Sequence, residues 1–585
     1  MDYKYSFVKS GKLEYQGFVE SLFSFINEKQ LMNGSLWKKF VDVFHEKQDS
    51  DDLRWRGEYW GKMMRGASIC YQYEQNEELY KVLKETVIDL LSTQDELGRI
   101  SSYKIENEFQ SWDVWGRKYV LTSLLYFYEI CKEDDLKEKI ITAAGKHASY
   151  IVEKVGNKEG QIKITDTSAW WLGVNSSSVL EPFVNLYKIT KNKEYLDFSK
   201  YIIDEGGIRE GNLINEVLED KHLPYEYPEN KAYETMSFFE GVLEYSLITK
   251  DERLYKAALK FFTDVQKTEI SIIGCAGSNE ECFSNTMLTQ LTKESKFMQE
   301  TCVSVTYMRI LSKLHLLTGD PKYYDQFMNT AMNAFLGSVN YNNQFGFEYY
   351  LKKVIEPLPF DSYSPLYLSK RGLSTGGVNF FKDGSSYGCC ACIGAVSIGL
   401  IALTSLLENE EKYVLNAYYE GQYQNENEYI KIESDYFKSG FVKLETNLNK
   451  NLEIRIPNWA NNPQIKIDGN MNDVQAGIYY EVPFGKHIIE LSLNPKLKRH
   501  YLDNHVAYTF GDLAMGFDNE DNPAIKLDEL SDSLLSDFQI VDSNKDNLLV
   551  IKAKFGNKNI ILKNYASLGK SWNQPNSVMT AWIKK

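Results

Sequence analysis

The sequence predicts a mainly helical first part, closed into a toroid of helical hairpins, and a second part of antiparallel strands folded as a β-sandwich. Three observations carry this. A weak repeat runs through roughly the first 400 residues. Near residue 409 the hydrophobic period changes from about 3.6 residues to about 2. With 585 residues, 43% of them apolar, the chain has ample material for a large core.

Taken in order, the opening DYKYSFV alternates, a pattern that fits a strand from residues 2–8 returning to the sandwich. NEELYKVLKETV, EDDLKEKIITAA, NKEYLDFSKYII, DERLYKAALKFF and DPKYYDQFMNTA then each follow a helical stretch and a polar break. Aligned on Leu79, Leu136, Tyr195, Leu254 and Tyr323, they lie 57, 59, 59 and 69 residues apart, room for one helical hairpin per repeat. A single hairpin cannot bury its own apolar face, so neighbours must stack. After Cys302 the apolar residues Val303, Tyr307, Ile310, Leu314 and Leu317 recur at helical spacing. From residue 409, YIKIESDY, FVKLET, LEIRIPNW, QIKIDG, IYYEV and HIIELSL are short β-rich runs between Asn, Gly and Pro turns. The expected division is a catalytic barrel over 1–408 and β-sandwich over 409–585, docked because no low-complexity linker separates them.

Composition excludes some functions. Lys and Arg total 66 against 81 Asp and Glu, a net charge of −15 without a dense basic block, so nucleic acid and anionic membrane are poor partners. No apolar run approaches a membrane span and the start resembles no signal peptide, so a cytoplasmic location is expected. Aromatic residues reach 14%, and seven of the ten Trp (Trp37, Trp55, Trp60, Trp112, Trp115, Trp170 and Trp171) fall in the first 171 residues beside Gly or charged groups. That placement reads as pocket lining; an aromatic core is the simpler alternative.

Six of eight cysteines lie between residues 275 and 392. In a reducing compartment clustered thiols point to metal binding or catalysis rather than disulfides. His315, the histidine of that region, sits in the helical pattern LSKLHLLTG and suits packing better than ligation. Any metal would therefore use sulfur and carboxylate. Glu280-Glu281-Cys282, Glu300-Thr301-Cys302 and Gly388-Cys389-Cys390-Ala391-Cys392 stand out. Three Cys and one Glu would complete a tetrahedral zinc shell; buried free thiols in a helical core are the alternative.

The order of GEYWGKMMRGA, WDVWGRKYVL, SSSVLEPFVNLY, KAYETMSFFEG, GSNEECF, QETCVSV, LTGDPKYYDQFMNTAMNAF, YGCCACIGAVSIGL and IRIPNWA resembles glycoside hydrolase family 127 over nearly the whole chain. The resemblance implies an (α/α)6 barrel followed by β-sandwich, and a retaining glycosidase whose nucleophile is a zinc-bound cysteine. It implies Zn2+ held by Glu300, Cys302, Cys389 and Cys390, with Cys389 the nucleophile. The acid/base glutamate falls on Glu281, with Glu280 standing where the family has Gly. The continuation ACIGAV, with its additional Cys392, departs from the family pattern. Where relatives hold the sugar with histidines, this chain offers Lys231 and Glu234 in one place and Asp113 and Arg117 in another. Together with Trp60, Trp112 and Trp115 these are the candidate substrate-binding residues; intrahelical salt bridges are the alternative for the charged ones. The implied substrate is a glycoside or oligosaccharide ending in β-L-arabinofuranose or a related unusual sugar, with homo-oligomerisation left open. Two rival functions are a metal-independent (α/α)6 uronyl hydrolase or lyase, and a non-catalytic glycan-binding relative with structural zinc.

Overall fold

The computed structural model of the chain describes residues 2–9, 11–50, 54–292, 299–348, 352–373, 376–541 and 547–585. Helices α1 (Phe18–Ile26) and α2 (Gly34–Glu46) lead into the hairpin α3 (Tyr59–Glu74) and α4 (Glu77–Ser92). Four more hairpins follow: α5 (Asp113–Ile130) with α6 (Asp134–Lys154), α7 (Leu180–Thr190) with α8 (Lys193–Glu205), α9 (Ala232–Thr249) with α10 (Glu252–Thr268), and α11 (Thr301–Thr318) with α12 (Pro321–Thr330). The short α13 (Cys389–Ile393) and the apolar α14 (Ala395–Leu403) end the helical part.

The polar breaks of the repeat are the hinges of these hairpins. Inner helices α3, α7, α9 and α11 end on left-handed residues, Gln75, Lys191, Lys250 and Gly319. The next residue in each case, Asn76, Asn192, Asp251 or Asp320, caps the following helix through its side chain. Nearly every residue of α5, α9 and α11 is buried, whereas α8, α10 and α12 bury one face. A helix apolar all round belongs inside, and an amphipathic one outside.

Packing closes the ring. α3 touches α5, α5 touches α7, α7 touches α9, α9 touches α11, α11 touches α14, and α14 returns to α3. Each inner helix is backed by its hairpin partner, and α14 by α1. This is an (α/α)6 barrel, as expected. Because the inner helices α3, α5, α7, α9 and α11 each follow an outer one running the opposite way, their N-termini converge on one end.

C-terminal to the ring are mainly antiparallel sheets, with one parallel pair, Lys412–Leu415 beside Asn451–Ile456. Alternation in Glu428–Asp435 and Phe441–Leu448 buries Ile430, Ile432, Val442 and Leu444. The N-terminal segment enters two sheets, Ser6–Phe7 pairing with Leu407 and Glu408, and Lys12–Tyr15 with the strand Gly421–Asn425. His315 lies between helices and sheet, its Nε2 3.1 Å from the Tyr479 hydroxyl and its Nδ1 3.2 Å from the Asp320 carbonyl, a satisfied packing histidine. No helix among the described residues is long and apolar enough to cross a membrane.

Candidate active site and metal centre

At the convergent end, Glu300, Cys302, Cys389 and Cys390 bring one ligand atom each to within 4.8 Å of one another, all buried. Glu300 caps α11 and Cys302 is its second residue; Cys389 and Cys390 open α13. The spacing problem in ExC is thus solved by an extended approach to a helix start. A two-residue ladder fixes that approach, pairing Gln299 and Glu300 with Ser364 and Tyr363. The Cys302 and Cys390 sulfurs are 3.2 Å apart, Cys389 and Cys390 4.0 Å, and Cys390 Sγ lies 3.7 Å from Glu300 Oε1.

The donors fit a cation. Glu300 Oε2 is buried with no hydrogen-bond partner. Three thiols and a carboxylate crowded together in a buried site are unfavourable once ionised unless a positive ion lies among them. Thiolate-rich donor sets suit zinc and do not suit magnesium. Hydrogen bonds from Cys302 and Cys390 hold the Cys389 thiol well below the ordinary range, helped by Lys62 and Lys231 against the effect of burial. Burial, then the charges of Glu281 and Cys389, push the Glu300 carboxyl well up.

Glu281 stands beside this cluster. Its Oε2 accepts from Lys231 Nζ at 2.5 Å and its Oε1 from the Tyr363 hydroxyl at 2.5 Å. The turn presenting it is strained, with φ of 54°, 62° and 67° at Asn279, Glu280 and Glu281. Glu280 is exposed and contributes its backbone carbonyl to Lys231. Glu234, one turn into α9, is buried with Oε2 lacking a partner, and burial lifts its carboxyl to about 7 against the pull of Lys231.

The other sequence candidates divide. Trp115 donates its Nε1 to Glu58, and Trp112 packs edge-on against both Trp115 and Trp55, whose Nε1 reaches the Gly377 carbonyl at 3.1 Å. Trp60 is fully buried, donating to Thr86 on α4 at 3.0 Å and packing on Trp37; it joins ring to outer helix. Asp113 and Arg117 form the intrahelical pair at 3.0 Å, and also engage Ser101 and Glu108. Cys392 is buried outside the four-donor set.

Sequence reasoning missed Tyr363, Gly376, Gly377, Glu58 and Lys62. A Cβ on Gly376 would lie 1.8 Å from the Tyr363 hydroxyl oxygen, and one on Gly377 2.1 Å from Cys389 Sγ. The Gly377 carbonyl also accepts from the Cys389 amide at 3.0 Å and the Tyr59 hydroxyl at 3.0 Å. The adjacent glycines were the one available signal.

No curated protein sequence matches the chain. Among solved structures it resembles the GH127 β-arabinofuranosidase BT3674, at 17% identity over 100% of this chain and 98% of that one, with a TM-score of 0.72. It also resembles Ara127N-Se, a GH127 β-L-arabinofuranosidase from Geobacillus stearothermophilus T6, at 16% identity, 98% and 99% coverage and a TM-score of 0.71. At such identities these likenesses establish the fold. The family model "Beta-L-arabinofuranosidase, GH127 catalytic domain" matches residues 7–364, more than half the chain. With that match, the chain belongs to the GH127 β-L-arabinofuranosidase catalytic-domain family and is a glycoside hydrolase.

Proposed function

We propose that the protein is a retaining glycosidase releasing a non-reducing terminal β-L-arabinofuranose or a related sugar, with Cys389 as nucleophile and Glu281 as acid/base. The observation that carries this is the buried Glu300, Cys302, Cys389 and Cys390 cluster with a carboxylate beside it. Zinc held by these four residues would keep the thiols ionised at neutral pH and stabilise Cys389 as a thiolate. Cys389 attacks the anomeric carbon; Glu281 gives a proton to the departing oxygen, then takes one from the water that displaces the Cys389 sulfur by breaking the thioglycosidic bond. Lys231 and Tyr363 orient the carboxylate through both stages. Trp112, Trp115, Lys231 and Glu234 are assigned to sugar binding; Trp60, Asp113 and Arg117 are assigned to the scaffold. The β part is read as a sandwich over 409–585 supporting the barrel of 1–408, and the site of action as the cytoplasm.

Aryl glycosides, L-arabinofuranosides among them, together with metal analysis of the same sample, test the reading: turnover with about one zinc per chain is expected, and full activity without a bound transition metal would refute it. Glu281→Gln should be crippled by about 10² to 10⁴ on poor leaving groups and far less in the first step on activated phenols. The variant should also accumulate one sugar on Cys389, visible by intact-protein mass. Equal losses with every leaving group and no trapped sugar would remove Glu281 from the role.

A further inference from the structure

A buried ammonium lies against the thiol cluster. Lys62, one turn into α3, is 1% exposed, and its Nζ lies 3.8 Å from Cys302 Sγ and 3.0 Å from Glu58 Oε1. Glu58, 2% exposed, is itself held by Trp115 Nε1. Three rings surround the ammonium, with centroids at 4.6 Å for Tyr233, 5.4 Å for Tyr119 and 5.8 Å for Trp115. An amine so enclosed has few alternative positions, and an N–H donor on a thiolate ligand withdraws electron density from that sulfur.

We infer that Lys62 is a positioning residue that fixes Cys302 as a permanent, non-reacting sulfur ligand and thereby sets the affinity of the cluster for its metal. The inference rests on the reading that zinc occupies the cluster. Its physical basis is charge. Three thiolates and a carboxylate around a divalent ion carry a net charge of about −2, which burial penalises. An ammonium touching one sulfur offsets part of that charge where no water can. Among the described residues, Cys302 is the cluster thiol for which a lysine hydrogen bond is recorded. That bond makes Cys302 the poorer nucleophile and leaves the reactive role to Cys389. Lys231, the other nearby lysine, is committed to Glu281.

Zinc affinity measured by competition with a chelator tests this independently of turnover. Lys62→Met should bind zinc about 10-fold to 100-fold more weakly than the parent, the usual range for loss of an outer partner of a metal ligand. Because that change leaves Glu58 buried alone, the paired variant Glu58→Gln/Lys62→Met is measured beside it, with circular dichroism to confirm the fold. In a Cys302→Ser background the same Lys62 change should move affinity by less than about twofold, since the partner sulfur is gone. Parent-like affinity in the paired variant, or an equal loss in the Cys302→Ser background, overturns the inference while the glycosidase reading stands. A parent that binds no zinc overturns both.

Discussion

Gly377→Ala is the sharpest test of how Cys389, the proposed nucleophile, is held. The backbone there has φ of 62°, where an L side chain costs about 1–2 kcal/mol. The new methyl would sit 2.1 Å from Cys389 Sγ and 3.2 Å from its Cβ. Comfortable non-bonded contact needs about 3.5–4.0 Å, so the sulfur must move by roughly 1.5 Å. A zinc–sulfur bond is about 2.3 Å long, and a misplacement of about 1 Å near reacting atoms costs about 10²-fold. The variant should fold, lose at least about 10² in kcat/KM and bind zinc less tightly. Gly384→Ala supplies the control. With φ of 80° and nothing within 4 Å of its Cβ, it bears the backbone cost without touching the thiol. Steady-state kinetics on one aryl glycoside, zinc content and thermal melts compare the two. If Gly377→Ala keeps the activity of Gly384→Ala, the glycine does not shape the site of Cys389.

Three further outcomes follow from the same geometry. Cys389→Ser should abolish turnover with the helical signal intact, whereas Cys392→Ser, outside the donor cluster, should stay active; the reverse result reassigns the nucleophile. Burial holds His315 down at about 4, so between that value and the ordinary value of about 6.5 the unfolded chain binds the extra proton. Stability from this group is complete above about pH 6.5, fades as pH falls through 4, and amounts to roughly 3 kcal/mol; denaturation midpoints of His315→Gln should respond less to acid, and parallel curves would refute this. Glu234, lifted by burial to about 7, keeps a proton that the unfolded chain loses near pH 4.3, so its effect is destabilising as pH rises to 7 and above. Glu234→Gln should therefore gain on the parent in melts at pH 8 relative to pH 5, and an unchanged difference would show that the carboxyl ionises freely.

The barrel was legible because four of the five hairpins declare their hinge locally: Gln75–Asn76, Lys191–Asn192, Lys250–Asp251 and Gly319–Asp320 pair a left-handed residue with an Asx cap. The clustering of Glu300, Cys302, Cys389 and Cys390 was expected through the family resemblance rather than through spacing, since ExC and CCxC meet across 88 residues. For Trp60, polar neighbours in sequence suggested a pocket rim, while the fold buries the ring and Thr86 on the adjoining helix satisfies its indole. Tyr363 could not be foreseen, as it reaches the site through a two-residue ladder, and Gly377 was signalled by nothing but its glycine neighbour. Glu58 and Lys62, four residues apart at the start of α3, were missed; the closed ring turns that face inward.

The same closure explains why thiols can work here. In an (α/α)6 ring the inner helices run in one direction, so their unpaired N–H groups and positive dipole ends gather at one end of the barrel. Cys302 at the second position of α11 lies in that field, which favours an ionised sulfur. Lys62 and Lys231 add full charges from the first turn of α3 and the start of α9, each tied to a carboxylate, Glu58 or Glu281. Glu281 and the cysteine cluster, once ionised, would both be anionic, so placing them side by side would be costly without these two lysines. Lys231 stands in one of the places where the resemblance to family 127 implies sugar-holding histidines. A fixed ammonium does not titrate near neutrality as an imidazole does, so this arrangement keeps the thiolates and Glu281 under constant positive potential across the working pH range.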